Sequence, residues 1–238
     1  MKLFWGVIFF LPAYSAAAQD SILNKYGLHV IKSVESYRES VLNKPGFEMT
    51  GLKNKIPGIK FDMRYAAGNN FLHKKLYPSP ATAFIRMDAA TALSEVQNEL
   101  KQKGLCLKIF DAYRPYSVTE KIWRLVKDER YAASPEKGSN HNRGVAVDLT
   151  IIEIKTNTAL NMGTDFDCFN DSAHHDFTAL PDTVLKNRLL LRTIMKKHGF
   201  IAMETEWWHY SLPDAKEYEL LDLSFKQLDK YQSKNRLH

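Results

Sequence analysis

The chain has 238 residues, 45% of them hydrophobic and 25% charged, with a formal net charge of +6. Such a composition is ordinary for a globular protein and excludes a disordered or fibrous chain, and the length suffices to bury a full core as one domain. The basic excess is spread thinly, without the basic stripe and interleaved aromatics of a nucleic-acid binder, so no nucleic-acid partner is expected.

Residues 1–18 read as a secretory signal peptide. Lys2 opens the segment, an apolar run extends from Leu3 to about Tyr14, and Ala16-Ala17-Ala18 supplies the small-residue cleavage pattern. The run is shorter than the ~20 residues needed to span a bilayer. Cleavage near Ala18–Gln19 would leave a secreted, periplasmic protein with no stable membrane span. The mature chain would hold 32 basic against 27 acidic residues, a net +5. Its densest basic stretch is the tail "KQLDKYQSKNRLH", a solvated surface with at most weak attraction to an anionic cell wall.

Residues 19–50 are polar and weakly periodic, and Pro45-Gly46 breaks them. They are expected to form an N-terminal extension, partly helical, ahead of a domain spanning 51–238. "GIKFDMRYA" alternates as a strand does and ends at the turn-prone "AGNN". Asp88 can cap a helix that carries Ala89, Leu93, Val96 and Leu100 on one face, with Gly104 after its end. "LCLKIFDA" is a short apolar strand. Ser117 and Glu120 have capping-box spacing for a second helix, with Ile122, Leu125 and Val126 inward.

"GVAVDLTII" reads as another strand. A later helix runs from about Asp182 to His198, with Leu190–Ile194 and Leu191–Met195 as i,i+4 pairs and Gly199 as its stop. "FIAMETEWWHYSL" then gives strand, bend and strand. Helices and strands mix without βαβ alternation, which predicts an α+β domain, a small mixed or antiparallel sheet flanked by helices. Cys106 and Cys168 would meet an oxidising compartment, where a disulfide is permitted; Cys106 could equally be a plain core thiol.

A carboxylate in mid-strand needs compensation, and "SNHNRGVAVD" (139–148) places Asp148 in one, seven residues after His141. Both types ligate Zn²⁺, but seven extended residues would hold them too far apart for one ion. Gly144 could let the chain turn back. The alternative is a surface His and an Asp paired with Arg143. "ETEWWHY" adds Glu204, Glu206 and His209. A catalytic zinc needs three protein ligands and an open position, which His141, Asp148 and His209 would provide. Glu206 could then serve as the base that takes a proton from water.

In a regular strand, residues three apart face opposite sides, so Glu206 and His209 require a bend between them. An aromatic core edge with an exposed Glu is the other reading of "EWWH". Arg114, in "DAYRP", could face an oxyanion or simply pair with Asp111.

Together, "SNHNRGVAVD" and "EWWH" resemble the zinc D-Ala-D-Ala dipeptidases of the VanX type. The similarity extends through "FDMRYAAGNNF", "DAYRP", "MGTDFDCFNDSAHH" and "NRLLLRTIMKKHGF", from about residue 51 to 225. The resemblance implies a Hedgehog/DD-peptidase-like fold and one Zn²⁺ per chain, held by His141, Asp148 and His209. It implies Glu206 as catalytic base, Arg114 as the group that stabilises the tetrahedral intermediate, and Asp167 as the holder of the substrate's free amino group. Ser139 and Tyr77 fall near the family's substrate-contacting Ser and Tyr. The implied reaction is hydrolysis of D-Ala-D-Ala, or a closely related small dipeptide, by zinc-activated water in cell-wall peptide turnover. A D,D-carboxypeptidase or endopeptidase acting on peptidoglycan stems is the alternative. The family's usual "SSH" is "SNH" here, with Asn140 in the changed position.

Overall fold

The structure is a computed structural model, and it describes residues 23–78, 81–129 and 132–235. The expected signal peptide lies outside the described residues. In chain order the elements are β1 (Val30–Ile31), α1 (Val34–Ser40), β2 (Met49–Gly51), α2 (Leu52–Lys55), β3 (Lys60–Phe61), β4 (Phe84–Arg86) and α3 (Met87–Lys101). They continue with β5 (Leu105–Asp111), α4 (Tyr116–Val126), β6 (Ala146–Glu153) and α5 (Asp182–Lys197). The chain ends in β7 (Ile201–Ala202), β8 (His209–Ser211), β9 (Leu220–Leu221) and α6 (Phe225–Asn235).

A five-stranded sheet in the order β3-β5-β6-β8-β7 forms the centre of this α+β fold. β3 runs parallel to β5 and the remaining pairs are antiparallel, so the sheet is mixed, as the element pattern predicted. β6 is its middle strand and is buried from Ala146 to Ile152. Burial on both faces explains its near-continuous apolar run. α3 lays Ala89, Leu93, Val96 and Leu100 against the sheet, and its buried Gln97 accepts the Leu107 amide at 2.8 Å. α5 packs beside it through Leu191, Ile194 and Met195. No helix among the described residues is long and apolar enough to cross a membrane.

The segment before residue 51 joins the same body. β1 pairs with β9, β2 pairs with β4, and the buried Tyr37 ring packs edge-on to Tyr231 of α6. Arg86, fully buried, donates to the carbonyls of Phe47, Arg143 and Glu219. One guanidinium thereby ties the N-terminal segment, the loop before β6 and the C-terminal region together.

Several local expectations are corrected. "GIKFDMRYA" is strand only at Lys60–Phe61, because Arg64 turns back onto Asp62 and a 3₁₀ turn begins. The first long helix starts at Met87 rather than after an Asp88 cap, and the Asp88 carboxylate instead accepts from Tyr218. Ser117 and Glu120 form no capping box; Asp222 accepts the Ser117 amide at 2.8 Å from across the fold. Leu125 is 47% exposed rather than inward. Of the two readings left open for the cysteines, the structure has free thiols, with Cys106 buried in β5 and Cys168 half-buried.

Candidate metal and catalytic site

Three adjacent strands set the floor of the site. Asp148 on β6 lies in register with His209 on β8 and with Asp111 on β5, just past a bulge that follows Ile109. His141 arrives from the loop before β6. Gly144, at φ 71°, makes the turn that brings it back, since few residues but glycine adopt that backbone without strain. The result answers the spacing problem: the ligand atoms of His141, Asp148 and His209 lie within 4.8 Å of one another.

The individual contacts are close. His209 Nδ1 lies 2.9 Å from Asp148 Oδ1, and His141 Nε2 lies 3.3 Å from Asp148 Oδ2 and 3.2 Å from His209 Nδ1. His141 Nδ1 sits 2.7 Å from the Ala112 carbonyl. A carbonyl can only accept, so Nδ1 carries the proton and Nε2 presents its lone pair to the cluster. Two imidazoles and one carboxylate, converging with an oriented tautomer, fit a zinc ion.

Both histidines hold Asp148 well below the usual carboxylate range, despite burial that pushes the other way. Burial would lower His209, but the hydrogen bond and charge of Asp148 outweigh it and raise that imidazole. A cavity of about 290 Å³ opens over these atoms and is lined also by Arg114, Glu206, Asp167, Tyr65 and Ser139. Its volume is at the small end of ligand sites, which run ~300–1,000 Å³.

The bend required between Glu206 and His209 is present. Met203 donates its amide to the His209 carbonyl at 3.0 Å, and His209 donates to the Glu206 carbonyl at 3.2 Å. This turn brings both side chains to the cavity. Burial raises the Glu206 carboxyl. Arg114 lies in the short connection after β5, just before Pro115, the N-cap of α4. Its Nε and Nη2 donate to Asp111 Oδ2 at 3.0 and 2.7 Å, and its guanidinium lies over the Tyr65 ring at 4.8 Å. The two readings of Arg114 are compatible, because it pairs with Asp111 and still lines the cavity.

Asp167 stands at φ 60° in the loop between β6 and α5. Its Oδ1 accepts from Tyr65 at 3.2 Å, while its buried Oδ2 has no partner among the described residues. Burial and the nearby Asp148 charge push its carboxyl well up. Ser139 Oγ accepts the His141 amide at 3.2 Å. Asn140 donates to Ser211 Oγ at 3.3 Å, so the altered position reaches the end of β8 as well as the cavity.

Tyr77 is placed differently from its expected role. It is 2% exposed, does not line the cavity, and donates to Asp111 Oδ1 from behind. It therefore supports the carboxylate that holds Arg114. Tyr65 is the tyrosine in the cavity, and the sequence reading passed over it. Asn142 was also missed: its buried amide donates to the Arg114 carbonyl and to Thr119, bracing the His141 loop against α4.

The family model for D-Ala-D-Ala dipeptidases matches residues 47–230. The chain belongs to the D-Ala-D-Ala dipeptidase family. Among curated members, the D-alanyl-D-alanine dipeptidase of Escherichia coli K12 is 36% identical over 174 residues, covering 73% of this chain and 89% of that protein. The D-alanyl-D-alanine dipeptidase of Enterococcus faecalis V583 is 32% identical over 182 residues, covering 68% and 90%. Of solved structures, the LdcB LD-carboxypeptidase is similar at 21% identity and a TM-score of 0.41, covering 80% of this chain and 79% of that one. As a member of the dipeptidase family, the chain is a peptidase whose matched region carries the entire cluster described above.

Proposed function

We propose that the protein is a secreted zinc D,D-dipeptidase that hydrolyses D-Ala-D-Ala, or a closely related small dipeptide, in cell-wall peptide turnover. One Zn²⁺ per chain would be held by His141, Asp148 and His209. Bound there, the ion supplies Lewis-acid polarisation of a peptide carbonyl and a water whose pKa is brought toward ~7.

The chain's own residues supply the rest. The Glu206 carboxylate takes the proton of the attacking water and returns it to the leaving nitrogen, work worth typically ~10²–10⁴-fold. The Arg114 guanidinium, held by Asp111, directs its remaining N–H groups to the developing oxyanion. Asp167 binds the substrate's ammonium by a charge-assisted hydrogen bond. Ser139, its oxygen engaged by the His141 amide, keeps its hydroxyl hydrogen available for a substrate carbonyl.

One observation carries the dipeptidase reading over a carboxypeptidase one. Among the described residues, Asp167 Oδ2 is buried without a donor in the cavity that holds the two-histidine, one-carboxylate cluster. A buried carboxylate oxygen left unpaired is costly, and an ammonium group relieves that cost. A clamp for a free amine beside the scissile bond admits a dipeptide and rejects a longer chain. The zinc-loaded protein should cleave D-Ala-D-Ala in a chelator-sensitive way and cleave its N-acetyl form ~100-fold less efficiently. Equal cleavage of both would move the activity to peptidoglycan stem peptides, and inertness toward every dipeptide tried would overturn the proposal. Secretion rests on residues 1–18, and mass spectrometry of exported protein should find an N-terminus at Gln19.

A further inference from the structure

Asp167 is held by a loop and not by a regular element, so something must fix that loop. Arg188 projects from α5 beneath it and is 4% exposed. Its Nε donates to the Met162 carbonyl at 2.7 Å, its Nη2 to Ser172 at 2.8 Å and its Nη1 to His174 at 3.1 Å. Met162 and Ser172 each lie five residues from Asp167, one on either side, and His174 lies seven beyond it. The guanidinium thus grips both ends of the segment whose middle carries the carboxylate.

Among the described residues no carboxylate pairs with Arg188. Burying a cation without a counter-charge is expensive, and an apolar side chain of similar volume would avoid the expense. What arginine alone offers is a rigid planar fork that serves three carbonyls at once. Among the described residues three other hydrogen bonds tether the segment: Tyr65 donates to Asp167 Oδ1 at 3.2 Å, and two more come from Trp207. Its indole donates to Thr164 at 2.8 Å and its amide donates to the Ala173 carbonyl at 3.1 Å. The Trp207 bonds join the loop to the turn that carries Glu206 and Tyr65 orients the carboxylate itself, whereas Arg188 sets the span of the loop backbone.

We propose that Arg188 is a positioning residue for substrate selection: by pinning Met162, Ser172 and His174 it holds the Asp167 carboxylate in the cavity and so sets the preference for a free amino terminus. The proposal rests on the reading of Asp167 as the amine clamp. It places selectivity under the control of a side chain that touches neither substrate nor metal ligand.

The test compares wild type, Arg188→Lys and Arg188→Met on D-Ala-D-Ala and N-acetyl-D-Ala-D-Ala, with zinc content and circular dichroism recorded for each. For Arg188→Met, KM for the free dipeptide should rise ~10–100-fold, the loss expected for a displaced charge-assisted contact. Its kcat should fall by less than ~3-fold, and kcat/KM for the acetylated substrate should stay within ~2-fold of wild type, since the metal cluster and Glu206 are untouched. Arg188→Lys, which keeps the charge but loses the fork, should show an intermediate KM. A folded, zinc-replete Met variant with wild-type selectivity would overturn the proposal. If that variant does not fold, unchanged selectivity in the Lys variant overturns it instead. A wild-type enzyme indifferent to acetylation defeats the amine clamp itself, an outcome visible before any Arg188 variant is made.

Discussion

Replacing Gly144 by Ala perturbs the turn on which the metal cluster depends. At φ 71° an added Cβ would strain the backbone by ~1–2 kcal/mol. It would also stand 2.7 Å from Met49 Sδ, 2.9 Å from Met49 Cε and 3.3 Å from Arg86 Cγ. Met49 is buried, but its far end is flexible, so displacing it should cost the lower part of the overpacking range, ~1 kcal/mol. The sum is about 2–3 kcal/mol of lost stability, readable as a lower urea midpoint at unchanged m-value. Because the turn also delivers His141, zinc affinity should weaken, measurable by competition with a chromophoric chelator. A Gly144→Ala protein with a wild-type midpoint and wild-type zinc affinity would refute the link between this glycine and the ligand geometry.

Other consequences follow from the site and its surroundings. Asp111→Asn should leave zinc content unchanged, yet lower kcat ~10²-fold by loosening Arg114, as steady-state kinetics would show; wild-type kcat would make the fork dispensable. Glu206→Gln should bind zinc normally while losing ~10²–10⁴-fold in kcat, checked by metal analysis beside kinetics. Burial, reinforced by the Arg192 charge, holds the His175 imidazole down at about 4, below its ordinary 6.5. The unfolded chain then binds a proton that the folded chain refuses. Stability is therefore lost as pH falls through 6.5 and levels off near 4. After allowance for solvent screening this is about 1–2 kcal/mol, and His175→Gln should remove it from a series of urea titrations at different pH.

The parts of the fold that were legible in the sequence are those governed by local pattern. The apolar runs of β5 and β6, the periodic face of α5 and the glycine after it all sit where their spacing puts them. The candidate ligands were legible for a different reason. Mid-strand Asp148 and the "EWWH" bend violate the ordinary pattern, and such violations mark sites. What stayed hidden was decided at long range. Asp222 supplies the cap of α4 from 105 residues away, so the local Ser117–Glu120 spacing misled. Tyr65 and Tyr77 lie in one turn-rich stretch, and only packing decides that Tyr65 meets Asp167 while Tyr77 lies behind Asp111.

If one zinc ion held by His141, Asp148 and His209 gives this chain its activity on D-Ala-D-Ala, that activity must track the metal. Titration of metal-stripped protein with Zn²⁺, with D-alanine release followed at each step, decides this. Activity should begin near zero, rise in proportion to added metal and reach its plateau at one equivalent per chain. Full activity in the stripped protein, or a plateau only at two equivalents, would rule out a single-zinc site.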